Sequence, residues 1–444
     1  MKSLKELIAK YASSGPRYTS YPTALHFSDK ADKRVLETLA VSDAPVSVYI
    51  HVPFCKSLCY FCGCSSSVCS DLRKIDEYLD TLSAELELWR DFGMPKRELR
   101  QLHFGGGTPN MMSPEQILRA GEIVRKYFDV SPSAEISCEF DPRTLDERKI
   151  DAFFEIGLNR ASMGIQDTNA EVQKAINRIQ PQQTNRRFFE YLRAKGISGI
   201  NADIIYGLPL QTPQTFENTL RDIAELNPDR IALFGYAHVP WVKPSQKILE
   251  KNTLPNSAEK AALFIRAMEF FQSSGYEYIG LDHFAKPSDS LIAARKGGAL
   301  HRNFQGYSTL AGLDTFAVGL TSISDTKTSY RQNFKDMQTY SQSVRAGVLP
   351  VERGIVLNAD DLVRRGIIMD IMCSLKVVFK NYGVDFKTEF ADALARLEQF
   401  REDGLVEFFD GGFEVVGEGR IFLRNIAMLF DNRLSKSLQY SKTV

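Results

Sequence analysis

VSVYIHVPFCKSLCYFCGC, residues 46–64, joins an apolar run to four closely spaced cysteines. Its first part, VSVYIHVP (46–53), is short, rich in β-branched residues and closed by a proline, which predicts a buried β-strand. The cysteines that follow are Cys55, Cys59, Cys62 and Cys64. Because so many thiols in so short a segment exceed what core packing needs, we expect it to hold a disulfide, a zinc ion or a metal cluster with an open coordination site.

Five further apolar runs follow along the chain, separated by amphipathic helical patterns. They are LRQLHFGG (99–106), AEISCEF (134–140), NRASMGIQ (159–166), GINADIIYG (199–207) and RIALFGYAHV (230–239). This alternation predicts an α/β fold of about six parallel βα units. We expect a partial (β/α) barrel, with a doubly wound open sheet as the alternative. In both folds the chemistry lies at the carboxyl ends of the strands, which is where the cysteines stand.

The pattern of the chain changes on both sides of this region. From about residue 325 it predicts long helices and one hairpin, LVEFFDGGFEVVG, in an order that resembles a winged-helix module. No basic cluster accompanies it, so a packing or lid domain is expected instead of a DNA-binding one. The predicted division is an N-terminal arm (1–40), the barrel (41–290), a linking segment at the site (291–324) and a mainly helical C-terminal domain (325–444).

Composition and charge exclude several classes of protein. The 444 residues include 43% hydrophobic and 25% charged residues, which is ordinary for a globular protein. Since 55 Lys and Arg balance 55 Asp and Glu, no global field attracts nucleic acid or an anionic membrane. No apolar stretch reaches the roughly 18 residues of a membrane span, and the N-terminus does not resemble a signal peptide. A cytoplasmic protein is therefore expected, and a monomer, because no heptad seam is present.

The cysteine spacing favours an iron–sulfur cluster over the other two sites. Seven cysteines are an odd number and four of them crowd together, which makes a poor disulfide framework. The spacing C-x3-C-x2-C of Cys55, Cys59 and Cys62 suits three corners of an iron–sulfur cube whose fourth iron stays open. Zinc sites prefer paired C-x2-C knuckles far apart, and a four-cysteine zinc site would need Cys62 and Cys64 on one ion. Zinc stays open as the less favoured alternative.

Several motifs together carry a resemblance to a known family. The C-x3-C-x2-C spacing after a first strand, with Phe61 before the last cysteine, resembles radical S-adenosylmethionine enzymes. Within them the chain is similar to the oxygen-independent coproporphyrinogen III oxidases, from about residue 10 to residue 435. The further motifs are SGPRYTSYPTA (14–24), HFGGGTP (103–109), SMGIQD (162–167), DIIYGLPLQT (203–212), YAHVP (236–240) and HRNFQGYST (301–309).

The resemblance implies both the cofactors and the reaction. A [4Fe–4S] cluster would bind S-adenosylmethionine, and the resulting radical would take a hydrogen atom from a propionate of coproporphyrinogen III. Loss of carbon dioxide and one electron leaves a vinyl group, and two such events give protoporphyrinogen IX. A flavodoxin- or ferredoxin-like electron donor is also implied. The alternative is a haem-binding chaperone of the same superfamily, against which Cys64, the arm around Arg17 and HRNFQGYST (301–309) argue.

The resemblance also implies roles for single residues. Cys55, Cys59 and Cys62 match the cluster ligands, and Cys64 is expected to be a free thiol near the reacting atoms. The positions that match contacts to S-adenosylmethionine are Tyr49, Gly106, Gly107, Thr108, Glu139 and Ile323. A second S-adenosylmethionine would contact Phe61, Gly107, Thr108, Gln166, Arg178, Asp203 and Ala237. Tyr49, Cys64 and Arg17 are the residues expected to take part in catalysis.

Each of these roles has a plainer structural alternative. The glycines of GGGTP (105–109) could serve only a strand-ending turn. Gln166 and Asp203 could be interior polar residues with structural partners, and Arg178 could be a solvated helix arginine. Arg17, and with it Arg302, is proposed to pair with substrate propionates, because guanidinium matches carboxylate geometry. The alternative is that Arg17 only ties the arm to the barrel.

Overall fold

A twelve-stranded sheet forms the centre of the computed structural model, which describes residues 2–29, 33–40, 42–435 and 440. The strands of these residues are β1 (Val46–Val52), β2 (Phe54–Cys55), β3 (Ser67–Val68), β4 (Arg97–Gly106), β5 (Phe128–Phe140), β6 (Arg160–Gln166), β7 (Gly199–Tyr206), β8 (Arg230–Gly235), β9 (Glu277–Gly280), β10 (His283–Ala285), β11 (His301–Asn303), β12 (Gly306–Ser308), β13 (Asp314–Val318), β14 (Ile323–Asp325), β15 (Ser329–Asn333), β16 (Val351–Val356), β17 (Lys376–Val378), β18 (Val406–Phe409) and β19 (Gly412–Val415).

The order of the strands confirms the predicted parallel α/β fold. The large sheet runs β16-β15-β14-β13-β1-β4-β5-β6-β7-β8-β10-β9. Every pairing from β13 through β1 and β4 to β8 is parallel, and the outer strands on both sides are antiparallel. From β1 to β8 the parallel strands stand in chain order, without the reversal of a doubly wound sheet. The arrangement is therefore compatible with the predicted partial barrel.

Fifteen α-helices lie within the described ranges, together with short 3₁₀ and π segments. The α-helices are α1 (Leu4–Tyr11), α2 (Arg34–Ala40), α3 (Leu72–Asp91), α4 (Pro114–Tyr127), α5 (Glu147–Glu155), α6 (Ala170–Ala175), α7 (Gln182–Ala194), α8 (Pro213–Leu226), α9 (Ser257–Ser273), α10 (Ser290–Lys296), α11 (Met337–Arg345), α12 (Ala359–Met369), α13 (Phe386–Glu389), α14 (Ala391–Glu402) and α15 (Leu423–Ala427). The 3₁₀ segments are Ala24–His26, Pro109–Met111, Pro142–Thr144, Pro244–Lys251, Phe379–Tyr382, Gly417–Phe422 and Met428–Phe430, and Asp370–Ser374 is a π-helix. In this part of the chain no helix is both long and apolar enough to cross a bilayer.

The helices between the parallel strands start where the sequence signals them. Ser113 caps α4 through a capping box with Gln116, and Thr212 caps α8 in the same way with Thr215. Consecutive helices contact each other, from α3 to α4 and α5 and then through α7 and α8 to α9. Right-handed crossovers in chain order place such helices side by side on one face of the sheet. Their apolar faces are buried in one large hydrophobic core.

The sheet continues beyond residue 290, where the sequence pattern ends. Strand β13 pairs in parallel with β1, and β14, β15 and β16 extend the sheet from there. Strands β14 and β15 lack an apolar pattern because their buried side chains are largely polar, as in β15, SYRQN. Arg331 donates a hydrogen bond to Asn333, and Asn333 donates to the buried Glu85 of α3. The predicted boundaries at residues 290 and 324 stay a prediction, and the sheet runs across both.

The C-terminal region has the predicted helices and hairpin. Strands β18 and β19 form the hairpin, with Asp410 and Gly411 at its turn. A third strand, β17, pairs with β19. Helices α12, α14 and α15 belong to the same region, so the predicted mainly helical C-terminal part is confirmed.

The N-terminal arm is held by the C-terminal region. The Tyr18 hydroxyl donates to Asp431 at 2.9 Å, and the Tyr21 hydroxyl donates to Asn432 at 2.6 Å. Arg424 donates from Nε to the carbonyl oxygen of Pro16 at 2.8 Å. Both tyrosines are buried, so this part of the arm is a packed segment and not a solvated tail.

A buried ion pair ties the central parallel strands together. Arg97, at the start of β4, donates from Nη2 to Asp314 of β13 at 2.6 Å, and from Nε to the carbonyl oxygen of Ala44 at 2.7 Å. Both charged side chains are buried. Since β1 lies between β4 and β13, the pair spans the strand that leads into the cysteine segment.

Replacing Asp314 by Ala should destabilise the protein strongly, because it leaves the buried Arg97 without its counter-ion. Removing one partner of a buried pair costs about 3–5 kcal/mol of the free energy of unfolding. Chemical denaturation followed by circular dichroism measures this loss. Glu98→Ala is the matched control, since it removes only an exposed pair with Arg100 and should leave the unfolding midpoint unchanged. Equal midpoints for both variants would contradict the prediction.

Candidate active site

The carboxyl ends of the parallel strands open onto a cavity of about 590 Å³, here called the cluster cavity. All four cysteines of the segment 55–64 line it. Most other predicted site residues line it as well: Arg17, Phe61, Gly106, Gly107, Thr108, Glu139, Gln166, Arg178, Asp203 and Ala237. Tyr49 and Ile323 instead line an adjoining cavity of about 420 Å³, whose wall also includes Arg17 and Glu139. The fold therefore brings residues from six strands and the arm to one edge of the sheet.

Local pairing fixes the cysteine segment at the end of β1. Strand β2 pairs in parallel with β3, so the loop between them returns to its starting point. The amide of Cys62 donates to the carbonyl oxygen of Cys59 at 3.0 Å and forms a tight turn. Asn177 donates from its side chain to the carbonyl oxygen of Leu58 at 2.8 Å. The loop is thus attached both to its own strand and to the segment after α6.

Each of the three candidate ligand sulfurs has a polar neighbour. The Thr108 hydroxyl donates to Cys55 Sγ at 3.5 Å, and the Cys64 amide donates to Cys62 Sγ at 3.4 Å. Arg143 donates from Nη2 to Cys59 Sγ at 3.2 Å. Donors of this kind stabilise thiolates, which are the form that binds metals. These contacts favour ligation, whereas burial raises the pKa of the Cys55 thiol above its usual value.

Two arginines and one carboxylate form a network beside Cys59. Arg143 pairs with Asp141 at 2.7 Å, and Arg178 pairs with the same carboxylate at 3.1 Å. Arg178 Nη1 also lies 3.6 Å from Cys59 Sγ, and its Nη2 donates to the carbonyl oxygen of Gly164 at 2.6 Å. Arg178 is 6% exposed, so the alternative of a solvated helix arginine is wrong. The network places two positive charges next to one candidate ligand sulfur.

Cys62 and Cys64 differ in their acidity. Hydrogen bonds from Cys64, with the positive charges of Lys243 and Arg178, lower the pKa of the Cys62 thiol to about 6. The same contact with Cys62 raises the pKa of the Cys64 thiol well above its usual value, although Cys64 is exposed at the surface. The contact therefore moves the pKa values of the two thiols in opposite directions. That Cys62 is a ligand and Cys64 a free thiol stays a prediction.

Tyr49 belongs to a chain of aromatic and polar side chains on β1, β4 and β5. Its hydroxyl lies 3.0 Å from His51 Nδ1, and His51 Nε2 lies 2.9 Å from the carbonyl oxygen of Ser65. Because a carbonyl only accepts, Nε2 carries the proton and Nδ1 accepts from Tyr49. The Tyr49 ring also stacks on His103, with ring centres 5.9 Å apart. The tyrosine is therefore held in one orientation in its cavity.

Glu139 at the end of β5 is kept charged by its neighbours. Burial alone would raise its pKa, but His103 at 3.3 Å and the Gly106 amide at 3.3 Å hold the pKa below its usual value. Its carboxylate lines both cavities described so far. An ionised carboxylate accepts hydrogen bonds and donates none, so this group is suited to bind hydroxyls.

The turn after β4 requires glycines for structural reasons. Gly106 has a φ of +117°, and a Cβ there would lie 2.7 Å from the His51 ring. At Gly107 a Cβ would lie 2.9 Å from the carbonyl oxygen of Phe54. Both glycines are therefore required by the turn itself. Their predicted contact with a cofactor is an additional hypothesis that these geometries permit.

Gln166 ends β6 and Asp203 lies inside β7, and each has an unusual property. Gln166 has a φ of +73°, a left-handed conformation that a non-glycine residue rarely adopts, at a bulge between β6 and β7. Burial raises the pKa of Asp203 to about 6. Ser162 and Asn201 donate to this carboxylate at 2.8 Å and 2.7 Å. Backbone strain and a perturbed carboxyl group are commoner at functional sites than elsewhere, although structural networks also perturb pKa values.

Sequence reasoning missed some residues that the fold brings to this site. Arg143 was not proposed, although it follows β5 by only three residues and the strand-end rule points to it. Lys243 donates to the carbonyl oxygen of Cys64 at 2.8 Å, which no spacing in the sequence predicts. Ser162 and Asn201 alternate with identified residues on β6 and β7, so a period-two pattern could have found them.

Comparison with known proteins agrees with this geometry. The profile of the radical SAM superfamily matches residues 49–223. The oxygen-independent coproporphyrinogen III oxidase of Escherichia coli (strain K12) is 40% identical over 99% of this chain and 98% of its own length. The enzyme of that name from Synechocystis sp. is 39% identical over 99% of this chain and 97% of its own.

A solved structure is similar over nearly the whole fold. It is the coproporphyrinogen III oxidase from Escherichia coli, described as a radical SAM enzyme, with a TM-score of 0.90 and 40% identity. The match covers 94% of this chain and 98% of that one. The family resemblance predicted from the motifs is thereby confirmed. The chain belongs to the family of oxygen-independent coproporphyrinogen III oxidases, within the radical SAM superfamily.

Proposed function

We propose that this protein converts two propionate side chains of coproporphyrinogen III to vinyl groups and so forms protoporphyrinogen IX without oxygen. The observation that carries the proposal is the convergence of the cysteine segment, Glu139 and Tyr49 at the carboxyl edge of the sheet, in a family whose members bear this name. Each propionate gives up one hydrogen atom, carbon dioxide and one electron. A [4Fe–4S] cluster and S-adenosylmethionine belong to this family, and together they supply the radical that removes the hydrogen atom.

The three cysteine thiols fit an iron–sulfur cluster. Cys55, Cys59 and Cys62 would hold it, since each sulfur accepts a hydrogen bond that favours the thiolate. Within the described ranges no three His, Cys, Asp or Glu side chains converge on a single metal ion. A cube of four irons does not require such convergence, because each thiolate binds a separate iron. Arg143 and Arg178 would offset the negative charge that the cluster brings to a partly buried site.

The cofactor S-adenosylmethionine would be bound by the residues around Glu139. The carboxylate of Glu139 would accept hydrogen bonds from the ribose hydroxyls, and the turn of Gly106, Gly107 and Thr108 would border the methionyl group. Tyr49 and Ile323 would border the sulfonium and the adenosyl part. Phe61, Gln166, Arg178, Asp203 and Ala237 remain the candidates for a second molecule of the cofactor.

Arg17 is suited to meet the carboxylates of the substrate. It lines both cavities, and its guanidinium donates only to the carbonyl oxygen of Gly235, at 3.4 Å, among the hydrogen bonds described for it. The backbone on either side of it is held by Arg424 and by the hydroxyl of Tyr18. Because the arm is anchored by other residues, Arg17 is free to serve the substrate. Arg302 lines the same cavity as Tyr49 and is the second candidate to contact the carboxylates of the substrate.

The proposed partners and location of the protein are predictions from its sequence. A flavodoxin- or ferredoxin-like protein would deliver electrons to the cluster. A monomer in the cytoplasm, without nucleic-acid or membrane partners, is the working state of the proposed enzyme.

The function is tested by incubating the reconstituted protein anaerobically with coproporphyrinogen III, S-adenosylmethionine and a low-potential reductant. We expect protoporphyrinogen IX, detected as protoporphyrin IX after oxidation. Cys62→Ala should abolish the visible absorbance of the cluster and all product, whereas Cys64→Ala should keep most of the absorbance. A protein that retains its cluster and cleaves S-adenosylmethionine but leaves the porphyrinogen unchanged would refute the proposed function.

Replacing Arg143 by Met should make the reduction potential of the cluster more negative. The change removes a positive charge and a hydrogen bond to Cys59, both of which favour the reduced cluster. A redox titration followed by electron paramagnetic resonance measures the shift. Arg148→Met is the control, because Arg148 is 79% exposed on the outer helix α5 and should leave the potential unchanged. An unaltered potential in an Arg143 variant with an intact cluster would count against this role.

Glu139→Ala should weaken binding of S-adenosylmethionine by about tenfold to a hundredfold while the cluster remains. A hydrogen bond to a charged acceptor is worth roughly 1.5–3 kcal/mol, which corresponds to this loss. Equilibrium dialysis of the reconstituted protein under anoxia gives the affinity. Glu135→Ala, four residues earlier on the same strand and in the same cavity, should retain it. If both variants bind equally well, Glu139 has no contact with the cofactor.

Arg17→Ala should abolish porphyrinogen turnover and spare both the cluster and the uncoupled cleavage of S-adenosylmethionine. The reason is that the lost guanidinium contacts the substrate carboxylates and not the cofactor. Product formation and 5′-deoxyadenosine release are measured on the same samples. Lys5→Ala, an exposed cation of the same arm, is the control and should turn over as wild type. Normal turnover in the Arg17 variant, or loss of its cluster, would exclude a direct role in substrate binding.

A further inference from the structure

A third cavity of about 540 Å³ adjoins the cluster cavity and is here called the cationic cavity. The two share part of their walls, namely Arg17, Gly235, Tyr236, Ala237 and Val239. Its other walls include the start of α9, the turn between β9 and β10, and α15. A large ligand that enters the cluster cavity can therefore extend into the cationic cavity.

The charges of the cationic cavity are not balanced. Its cationic side chains are Arg17, Lys260, Arg302 and Arg424. Among the described residues of its wall, Asp282 is the only carboxylate, and His283 already contacts it at 2.6 Å. Arg424 is engaged with the backbone of the arm, but Arg17, Lys260 and Arg302 alone outnumber this carboxylate. Such an excess in a partly enclosed site indicates an anionic ligand, because unpaired buried charges are costly.

Arg302 has hydrogen-bonding capacity that the protein does not use. The residue is 5% exposed, and its Nε and Nη1 atoms have no partner within the described part of the chain. Its guanidinium lies over the Tyr307 ring, 4.8 Å from the ring centre, which holds the group in place. These two N–H groups lie on different edges of the guanidinium, so each is available for a separate hydrogen bond to a ligand oxygen.

Lys260, in the first turns of α9, is the cation that the sequence did not identify. Its ammonium donates to the carbonyl oxygen of Tyr236 at 2.9 Å, and no carboxylate of the described residues forms an ion pair with it. Asn256 and Ser257 at the amino end of α9 line the same cavity, so the helix adds partial positive charge there. An ammonium has three donors, and this contact uses one of them.

We propose that the cationic cavity binds the propionates of the porphyrinogen that are not being decarboxylated, with Lys260 and Arg302 as specificity-determining residues. The inference rests on the proposed function, because the ligand is its substrate. While one propionate of coproporphyrinogen III lies at the cluster cavity, three others need partners, and Arg17, Lys260 and Arg302 are cations that can pair with them. The two propionates that remain in the product would keep these contacts throughout the reaction.

The test uses protoporphyrin IX, which carries only the carboxylates that the reaction leaves in place. Binding to the reconstituted protein is measured under anoxia by porphyrin fluorescence. K260Q should weaken this binding by about tenfold to a hundredfold, the usual loss for a charged hydrogen bond. K251Q is the matched control, since Lys251 is exposed, precedes α9 and lines none of the three cavities.

A second ligand shows whether binding depends on the charge of the carboxylates or on the shape of the porphyrin. Protoporphyrin IX dimethyl ester, in which the carboxylates are neutral, should bind wild type and K260Q with equal affinity. Unchanged binding of the free acid to K260Q, or an equal loss in K251Q, would overturn the inference. Turnover of coproporphyrinogen III by the wild type is measured in parallel, and its absence would refute the proposed function instead. If K260Q fails to assemble its cluster, R302Q is titrated in the same way with the same expected loss.

Discussion

In a parallel sheet all strands run in one direction, so the carboxyl ends of β13, β1 and β4 to β8 lie along a single edge. Strand β1 stands inside this sheet, between β13 and β4. The cysteine segment follows β1 immediately and therefore begins at the second strand of that edge. Glu139, Gln166, Asp203 and Ala237 come from four other strands or directly after them and reach the same cavity. The pairing of the parallel strands thus brings together site residues that are nearly 200 positions apart in the sequence.

Side chains with fixed partners hold the site around this edge. Asp141 accepts from two guanidinium groups, and those groups in turn contact Cys59. A carboxylate so placed keeps both arginines oriented before any cofactor binds, which reduces the cost of ordering them. In the same way His51 orients Tyr49, and His103 orients Glu139. The protein's own contribution to a radical reaction is orientation and exclusion of water, and these networks provide the orientation.

The arm and the C-terminal region also contribute to the walls of the site. Arg424 of α15 holds the backbone around Pro16, which puts Arg17 in the wall of all three cavities. Arg17, Lys260 and Arg302 line these walls and form no ion pair with the described residues, which leaves positive charge in excess. This imbalance costs stability in the free protein. It is explained most simply by a ligand that brings several carboxylates.

The sequence by itself determined the local elements and the class of chemistry. Apolar runs and caps predicted the six parallel strands and helices such as α4 and α8, since these patterns depend only on neighbouring residues. The spacing of Cys55, Cys59 and Cys62 pointed to the cluster for the same reason. Strands β14 and β15 were not predicted, because buried polar side chains that bond one another leave no apolar pattern. The roles of Arg143 and Lys260 were decided only by the tertiary structure, since strand order and register set their distances from Cys59 and from the shared cavity wall.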